Sequence, residues 1–542
     1  MVSVGGGLGS FALVDQLRSL GTSTDSIAVV SIFETPYRRL KTLLENSQVK
    51  STDRLRSDSQ ARIDNPWGFP SYSMSEARTR KSLAPLARAA LEPIVMEYFT
   101  PRADLVYRGL ERESGRIAWT SMVSLGPALA IRCSRGGGYY IVKICDQSWR
   151  RLVSNLPKLP LTNNNDQVDW ELSPCMNTDI REIVAREFPG TLEWVRDNLS
   201  LSPWINQECF RKGDLPNHLE ILESRYVHLA SGYTSLNLDA AIFGDSQRPV
   251  HVGETKVVHT YHPHDVDLES CIKEDSPVIV RGAGIAASQE LNRAIELRRT
   301  NRSRSKIIHV VNSGDDIALS DTTAIEDLKL SKLSKLPVRK FPFVFPRGAA
   351  SGSLAKELTR KTPRDLVGTI AALGRPSSPK RKVWESNTSL AQDQGWLTTL
   401  AGTLVIDHSQ DQAVPELMID GKHDRITVKR GLLIDCTGLK CDVDEDLLTD
   451  DLLACGIGHK NSLGRLYVDQ QFRVNVNNHD GALFASGPLI LGCSYAPVDS
   501  FWGLQFVAQE ILSQLDLAPK ILSRGQKNTL VAWFSWIRGA RP

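Results

Sequence analysis

A glycine turn between a short apolar strand and a helix narrows the fold more than any other feature, and this chain carries two. Met1–Val4 runs directly into Gly5-Gly6-Gly7-Leu8-Gly9-Ser10, then into Phe11–Leu20 with Phe11, Val14, Leu17 and Leu20 at helical spacing. A second strand, Ile27–Phe33, ends at Glu34. The arrangement recurs mid-chain: Pro277–Arg281 is a compact strand, Gly282-Ala283-Gly284-Ile285-Ala286-Ala287 is the turn, Ser288–Arg298 reads as a helix, and Lys306–Val311 as the next strand. This order suits a dinucleotide cradle. Gly5 and Gly282 permit the tight turn, and Gly7 and Gly284 let the backbone approach a pyrophosphate. The small residues Ser10 and Ala287 let the helix pack close to its strand, Gly9 keeps the first turn bare, and the helix N-terminal amides face the phosphates.

The two units differ at the end of their second strand. Glu34 supplies a carboxylate able to accept from a ribose hydroxyl. Asn312-Ser313-Gly314 supplies none, while Arg298, Arg299, Arg302 and Arg304 crowd the residues before the strand. A carboxylate repels a 2′-phosphate and guanidinium groups hold one, so the expected ligands are FAD in the first unit and NADPH in the second. The expected fold class is α/β, with two Rossmann-like three-layer dinucleotide-binding domains.

Composition excludes several alternatives. A net charge of +3 over 542 residues gives no general attraction to nucleic acid or membrane, so neither is expected as a partner. No apolar run approaches the ~18 residues of a membrane span, and the turn at Gly5 leaves no room for a signal peptide. The nine cysteines are scattered without a CxxC pair, as expected of reduced thiols in a cytoplasmic protein. His259-Thr260-Tyr261-His262-Pro263-His264-Asp265 gathers three histidines, but Pro263 breaks helical presentation; a polar interdomain loop is expected there, and no metal.

The remaining segments are less specific. Asn65–Tyr72 places Trp67, Phe69 and Tyr72 among Pro and Gly, which suits a long loop offering stacking faces and hydroxyl donors or simply anchored to the core. Leu105–Arg112, Arg116–Ser121, Ala128–Cys133 and Tyr139–Ile144 read as short strands of a meander. Residues 146–225 form a mostly helical insert of unassigned role. Tyr226–Tyr233 reads as a strand running into a small-residue turn, of the kind that lets a chain cross between domains beside a nucleotide.

The C-terminal third carries the features that make a family resemblance specific. Gly431–Leu439 is an apolar strand ending in Asp435-Cys436-Thr437-Gly438, and Phe484-Ala485-Ser486-Gly487-Pro488 ends another. With the two glycine turns, and with Trp396 in Gln394-Gly395-Trp396, this layout resembles the two-dinucleotide-domain flavoproteins, which include the class B flavin monooxygenases and the ornithine/lysine N-hydroxylases. The resemblance implies a discontinuous FAD domain (1–145 and 431–542) enclosing an NADPH domain (226–430). It implies that Gly438 and Gly487 bind the flavin nucleotide. The family's acid after the late glycine is replaced by Pro488, leaving Asp499 or Ser500 as substitutes. Trp67, Tyr72, Asp499, Trp502 and Gln505 are the candidate pocket residues. The implied function is an NADPH-reduced, FAD-dependent oxidoreductase, foremost a single-component monooxygenase that uses dioxygen to hydroxylate a small amine-bearing or aromatic metabolite. Halogenation, reduction of a protein partner, and a non-catalytic nucleotide-binding scaffold are the alternatives.

Overall fold

The computed structural model describes residues 1–55, 71–87, 101–134, 137–155, 176–199, 203–205, 215–244, 248–311, 382–407, 416–421, 425–474, 481–493, 495 and 498–515. A parallel sheet and a larger mixed sheet dominate. The first is built on β1 (Val2–Val4), with β2 (Ala28–Ser31) and β3 (Val123–Leu125) on one side. A further pair of short strands, β4 (Ala128–Ser134) and β5 (Gly138–Ile144), extends a separate four-stranded sheet with β6 (Trp204–Ile205) and β7 (Leu219–Ser224). The chain then returns as β8 (Tyr226–Leu229) on the other side of β1, giving the switch in direction at which such sheets leave a crevice. All three residues of β1 are buried, as a strand covered on both faces requires.

The short strand β9 (Ser235–Leu236) leads out of the first sheet. The second sheet comprises β10 (Val250–Val252), β11 (Glu254–His259), β12 (Val278–Arg281), β13 (Ile307–Val311), β14 (Leu397–Asp407), β15 (Glu416–Gly421), β16 (Arg425–Val428) and β17 (Arg430–Asp435). Its order is β10-β11-β17-β12-β13-β14-β15-β16, with β11, β17, β12, β13 and β14 parallel. Alternation along the strands makes three layers. Val278 and Val280 pack under helix Ile285–Asn301, while Ile279 and Leu433 face Ile242, Phe243 and Ile419 on the opposite side. The chain leaves through β18 (Leu439–Lys440), paired antiparallel with β9, and β19 (Ala482–Ala485) completes the first sheet beside β8. Helix Phe501–Gln514 then packs on helix Leu8–Ser19.

Three expectations change. Arg116–Ser121 is not a strand but the end of helix Ala103–Arg116 followed by a 3-10 turn over Trp119–Met122. Leu105–Arg112 lies inside helix Ala103–Arg116, not a strand: Ala103, Val106, Leu110 and Glu113 are buried at spacings of three and four, a helical stripe. The strand beginning at 431 belongs to the second sheet, between β11 and β12, so the return to the first sheet follows it rather than starting with it. The segment 146–225, expected as an insert, packs against the sheet of β4 and β5. Its helices Asn177–Glu187 and Thr191–Asn198 share a core with β4 and β5, and its strand β7 hydrogen-bonds to β5.

Candidate functional site

The two glycine turns have the same geometry. Gly5 has φ +122° and Gly282 φ +124°. A Cβ on Gly5 would stand 2.2 Å from the Ala230 carbonyl oxygen, and one on Gly282 2.7 Å from that of Cys436, so neither position admits a side chain. The amide of Gly5 donates to Val30 O and that of Gly282 to Val310 O, both at 2.9 Å. Gly7 and Gly284 are the N-caps of their helices, both at φ −87° and extended in ψ, with no side-chain cap. A Cβ on either would meet nothing within 4 Å. Each helix therefore presents its first amides beside open space, the arrangement that binds a diphosphate. Ser10 and Ala287 are buried at the helix–strand contact.

A cavity of about 320 Å³ opens at the first switch point. The whole turn Gly5–Gly9 forms one wall, and the Ala230–Tyr233 turn after β8 forms the next. Ser486, Gly487 and Pro488 after β19, and Asp499, Phe501 and Leu504 at the last helix, close it. Tyr261 and Leu439 reach it from the C-terminal edge of the second sheet, so both sheets present their ligand edges to one cleft. Arg39 and Asp499 carry the charge among its lining residues. The Tyr233 hydroxyl donates to Asp499 Oδ2 at 3.2 Å. Burial, then the Asp499 charge, hold the Tyr233 phenol well above its usual range, so it stays protonated. Helix Ile285–Asn301 also touches the first unit directly: Gln289 Nε2 donates to Gln48 O and to Asp53 Oδ2, both at 3.0 Å.

Beneath the first turn runs a buried polar chain. Gly6 N donates to Ser10 Oγ at 3.2 Å, and Ser3 Oγ donates to Ser10 Oγ at 2.9 Å. His228 bonds to Ser3 Oγ through Nδ1 and to Ser486 Oγ through Nε2, each at 2.9 Å. Burial pushes the His228 ring down to about 3, so it is neutral.

The sequence-derived candidates divide. Gly5, Gly7, Gly9, Gly487 and Asp499 line the cavity. Ser10 lies under it, and Gly438 (φ +90°) immediately precedes the lining residue Leu439. Ser500 is the N-cap of the last helix, its oxygen accepting from Gly503 N at 3.0 Å, which ties it to a structural role. Trp67 and Phe69, and the side chain of Trp502, lie outside the described residues. Three placements differ from expectation. Glu34 points outward, its side chain 61% exposed and paired with Arg150, because Ser31 turns the chain by bonding to Phe33. Tyr72 is buried in the core against Gly109 of helix Ala103–Arg116, away from the cavity. Gln505 is not among the cavity's lining residues, and its backbone carbonyl accepts from Gln16 Nε2 of helix Leu8–Ser19 at 3.1 Å.

The arginine cluster is the largest correction. Arg298 and Arg299 sit in the last turn of helix Ile285–Asn301 and Arg302 is its C-cap, whereas Gly284 is its N-cap. At 1.5 Å per residue they stand about 25 Å from the glycine turn, at the opposite edge of the sheet. Arg298 stacks on Trp396 at 4.0 Å and donates to Ser305 O at 2.7 Å, and Arg299 bonds to Asn387. They are structural. The strand end where a 2′-phosphate would be read, from residue 312, lies outside the described residues.

His259, His262 and His264 are buried rather than arrayed for a metal. His262 and His259 accept from backbone amides, and His264 pairs with Glu290 at 3.2 Å, which also accepts from Thr260 at 2.7 Å. Among the described residues no group of three or more His, Cys, Asp or Glu is placed to hold a metal ion. Cys436 and Cys441 are buried free thiols, and burial raises both, Cys441 to about 12, which suits packing and not redox exchange. No described helix is long and apolar enough to cross a membrane.

The chain matches no protein-family model and no curated protein. Its fold is that of several solved enzymes. An ornithine N-hydroxylase from Kutzneria sp. 744 superposes with a TM-score of 0.52 at 12% identity, covering 97% of this chain and 99% of the other. The L-lysine 6-monooxygenase of Pseudomonas syringae gives 0.53 at 13% identity, with 95% and 99% coverage. The cadaverine monooxygenase of Erwinia amylovora gives 0.53 at 9% identity, with 96% and 94% coverage. The chain therefore shares the fold of these three enzymes over nearly its whole length.

Proposed function

We propose that this protein is an FAD-dependent oxidoreductase reduced by NADPH, and that it hydroxylates the nitrogen of a small amine with dioxygen. The observation that carries the reading is the repeated turn: two helix N-termini without a side-chain cap, each with a second glycine whose missing Cβ would meet nothing, on two sheets that both contribute residues to one cavity. The first cradle lines that cavity and the second lies on the sheet from whose edge Tyr261 and Leu439 reach it, an arrangement that suits hydride transfer between two dinucleotides. The chemistry FAD supplies when bound is acceptance of a hydride from NADPH and activation of dioxygen, one oxygen atom ending on the amine nitrogen and the other in water. The choice of FAD, NADP and amine rests on the fold neighbours, one solved with reduced FAD, NADP⁺ and L-ornithine and another with FAD.

The chain's own residues have definable tasks. The amides after Gly7 hold the diphosphate of FAD, and those after Gly284 the diphosphate of NADPH. Phe501, Leu504 and Leu439 exclude water from the cleft. Asp499, oriented by Tyr233, is the carboxylate of the cavity wall that a cationic substrate group would meet. Purified protein titrated with FAD should develop a bound-flavin absorption spectrum. It should oxidise NADPH with oxygen uptake that rises on adding L-ornithine, L-lysine or cadaverine, and form a hydroxylamine detectable by iodine oxidation. A preparation that binds no FAD refutes the reading, and NADPH oxidation indifferent to every amine refutes the hydroxylase part.

A further inference from the structure

The polar chain under the first turn has a direction, and that direction determines what the cavity wall offers a ligand. Ser3 has one hydroxyl proton, and it goes to Ser10. The bond between Ser3 and His228 Nδ1 must then be donated by the ring. A neutral ring with its proton on Nδ1 leaves Nε2 a pure acceptor, so the proton between Nε2 and Ser486 comes from the serine. Ser486 Oγ thus has its proton drawn inward, and only lone pairs remain for the cavity it lines. Gly9 keeps that oxygen uncovered, since a Cβ there would stand 3.0 Å from Ser486 Oγ and 3.0 Å from Ala230 Cβ.

We infer that Ser486 is a cofactor-binding residue, held by His228 as an obligate acceptor for a hydroxyl of FAD. Of the strand-end residues Ser486, Gly487 and Pro488 that line the cavity, Ser486 alone brings a side-chain acceptor. Ser500 caps the last helix, and Asp499 is assigned above to the substrate. The His228 ring does not line the cavity and acts through Ser486, as a positioning residue. The inference rests on the FAD reading above and adds a residue and a hydrogen-bond polarity to it.

The test combines FAD titration with the state of the ring. Ser486→Ala should weaken FAD binding about tenfold while far-UV circular dichroism stays unchanged. His228→Asn keeps a donor towards Ser3 but frees the serine proton, and should weaken binding about threefold. The double variant should match Ser486→Ala alone, because the ring has no effect without the serine. Should Ser486→Ala not fold, Ser486→Cys fills the same space with a poor acceptor and should weaken FAD by a similar factor. Nitrogen-15 spectra of histidine-labelled protein, with His228→Asn for assignment, should show a neutral ring protonated at Nδ1. A ring protonated at Nε2, additive losses in the double variant, or wild-type FAD affinity in Ser486→Ala overturns the inference and leaves the proposed function standing. Wild-type protein that binds no FAD removes both.

Discussion

Replacing Gly7 with alanine separates ligand binding from folding at a single atom. Gly7 has φ −87° and ψ −162°, a conformation any residue adopts, and its missing Cβ would touch nothing within 4 Å. As an N-cap, alanine is poorer than glycine by about 0.5–1 kcal/mol. Against that, the unfolded chain loses freedom worth about 0.4–1 kcal/mol. The two nearly cancel, so the thermal midpoint should hardly move. Gly5→Ala is the contrast: φ +122° costs about 1–3 kcal/mol in strain, and a Cβ 2.2 Å from Ala230 O forces β1 and β8 apart on top of it. In binding, the Gly7→Ala methyl occupies the space where a diphosphate meets the helix amides. Loss of one hydrogen bond to a charged oxygen, about 1.5–3 kcal/mol, weakens FAD roughly ten- to a hundredfold. Differential scanning fluorimetry and FAD titration of the two variants check this. If Gly7→Ala melts as early as Gly5→Ala, or binds FAD like wild type, the open side of Gly7 is not the diphosphate cradle.

Other outcomes follow from the same geometry. Gly284→Ala should raise KM for NADPH at least tenfold with FAD affinity unchanged, read by steady-state NADPH oxidation. Arg298→Met should leave the NADPH-to-NADH preference as it is, while losing the stacking on Trp396 and the bond to Ser305 lowers stability by about 1–2 kcal/mol in urea titrations. Burial alone would lower His264, but Glu290 raises it from 6.5 to about 9. Its stabilisation is complete below pH 6.5 and lost as pH rises through 9, and His264→Gln should remove that slope from urea midpoints. His228 and His259 are held neutral down to about 3, so their sites are intact above pH 6.5 and lose stability as pH falls towards 3. Tyr72→Phe should leave turnover unchanged, because its ring packs against Gly109.

What was legible in the sequence was local. A glycine turn declares itself within about ten residues, because strand, turn and helix follow one another and φ is set residue by residue. Both units were visible, and so were Gly487 and Asp499 on the cavity wall. The arginines misled because closeness to a strand in sequence does not say which end of it a side chain serves. Arg298 precedes β13, so it lies at the strand's start, and a ligand is read at its finish. Leu105–Arg112 misled because short apolar runs do not distinguish the two periods until Ala103 and Glu113 extend the stripe. Ser3, His228 and Ser486 gave no signal at all: the bonds joining them span 225 and 258 residues, and only the parallel order β19-β8-β1 puts them side by side.

The antiparallel pairing of Leu236 with Leu439 has a consequence for how such a chain is assembled. Departure from the first sheet and re-entry to it happen at neighbouring backbone positions, about 5 Å apart. Residues 237–438 are thus a cassette whose two ends share one doorway. A short turn joining Leu236 directly to Leu439 would leave β9 and β18 as a hairpin, with the first sheet still closed by β19. The second sheet and its helices thus leave and rejoin the chain as a single excursion.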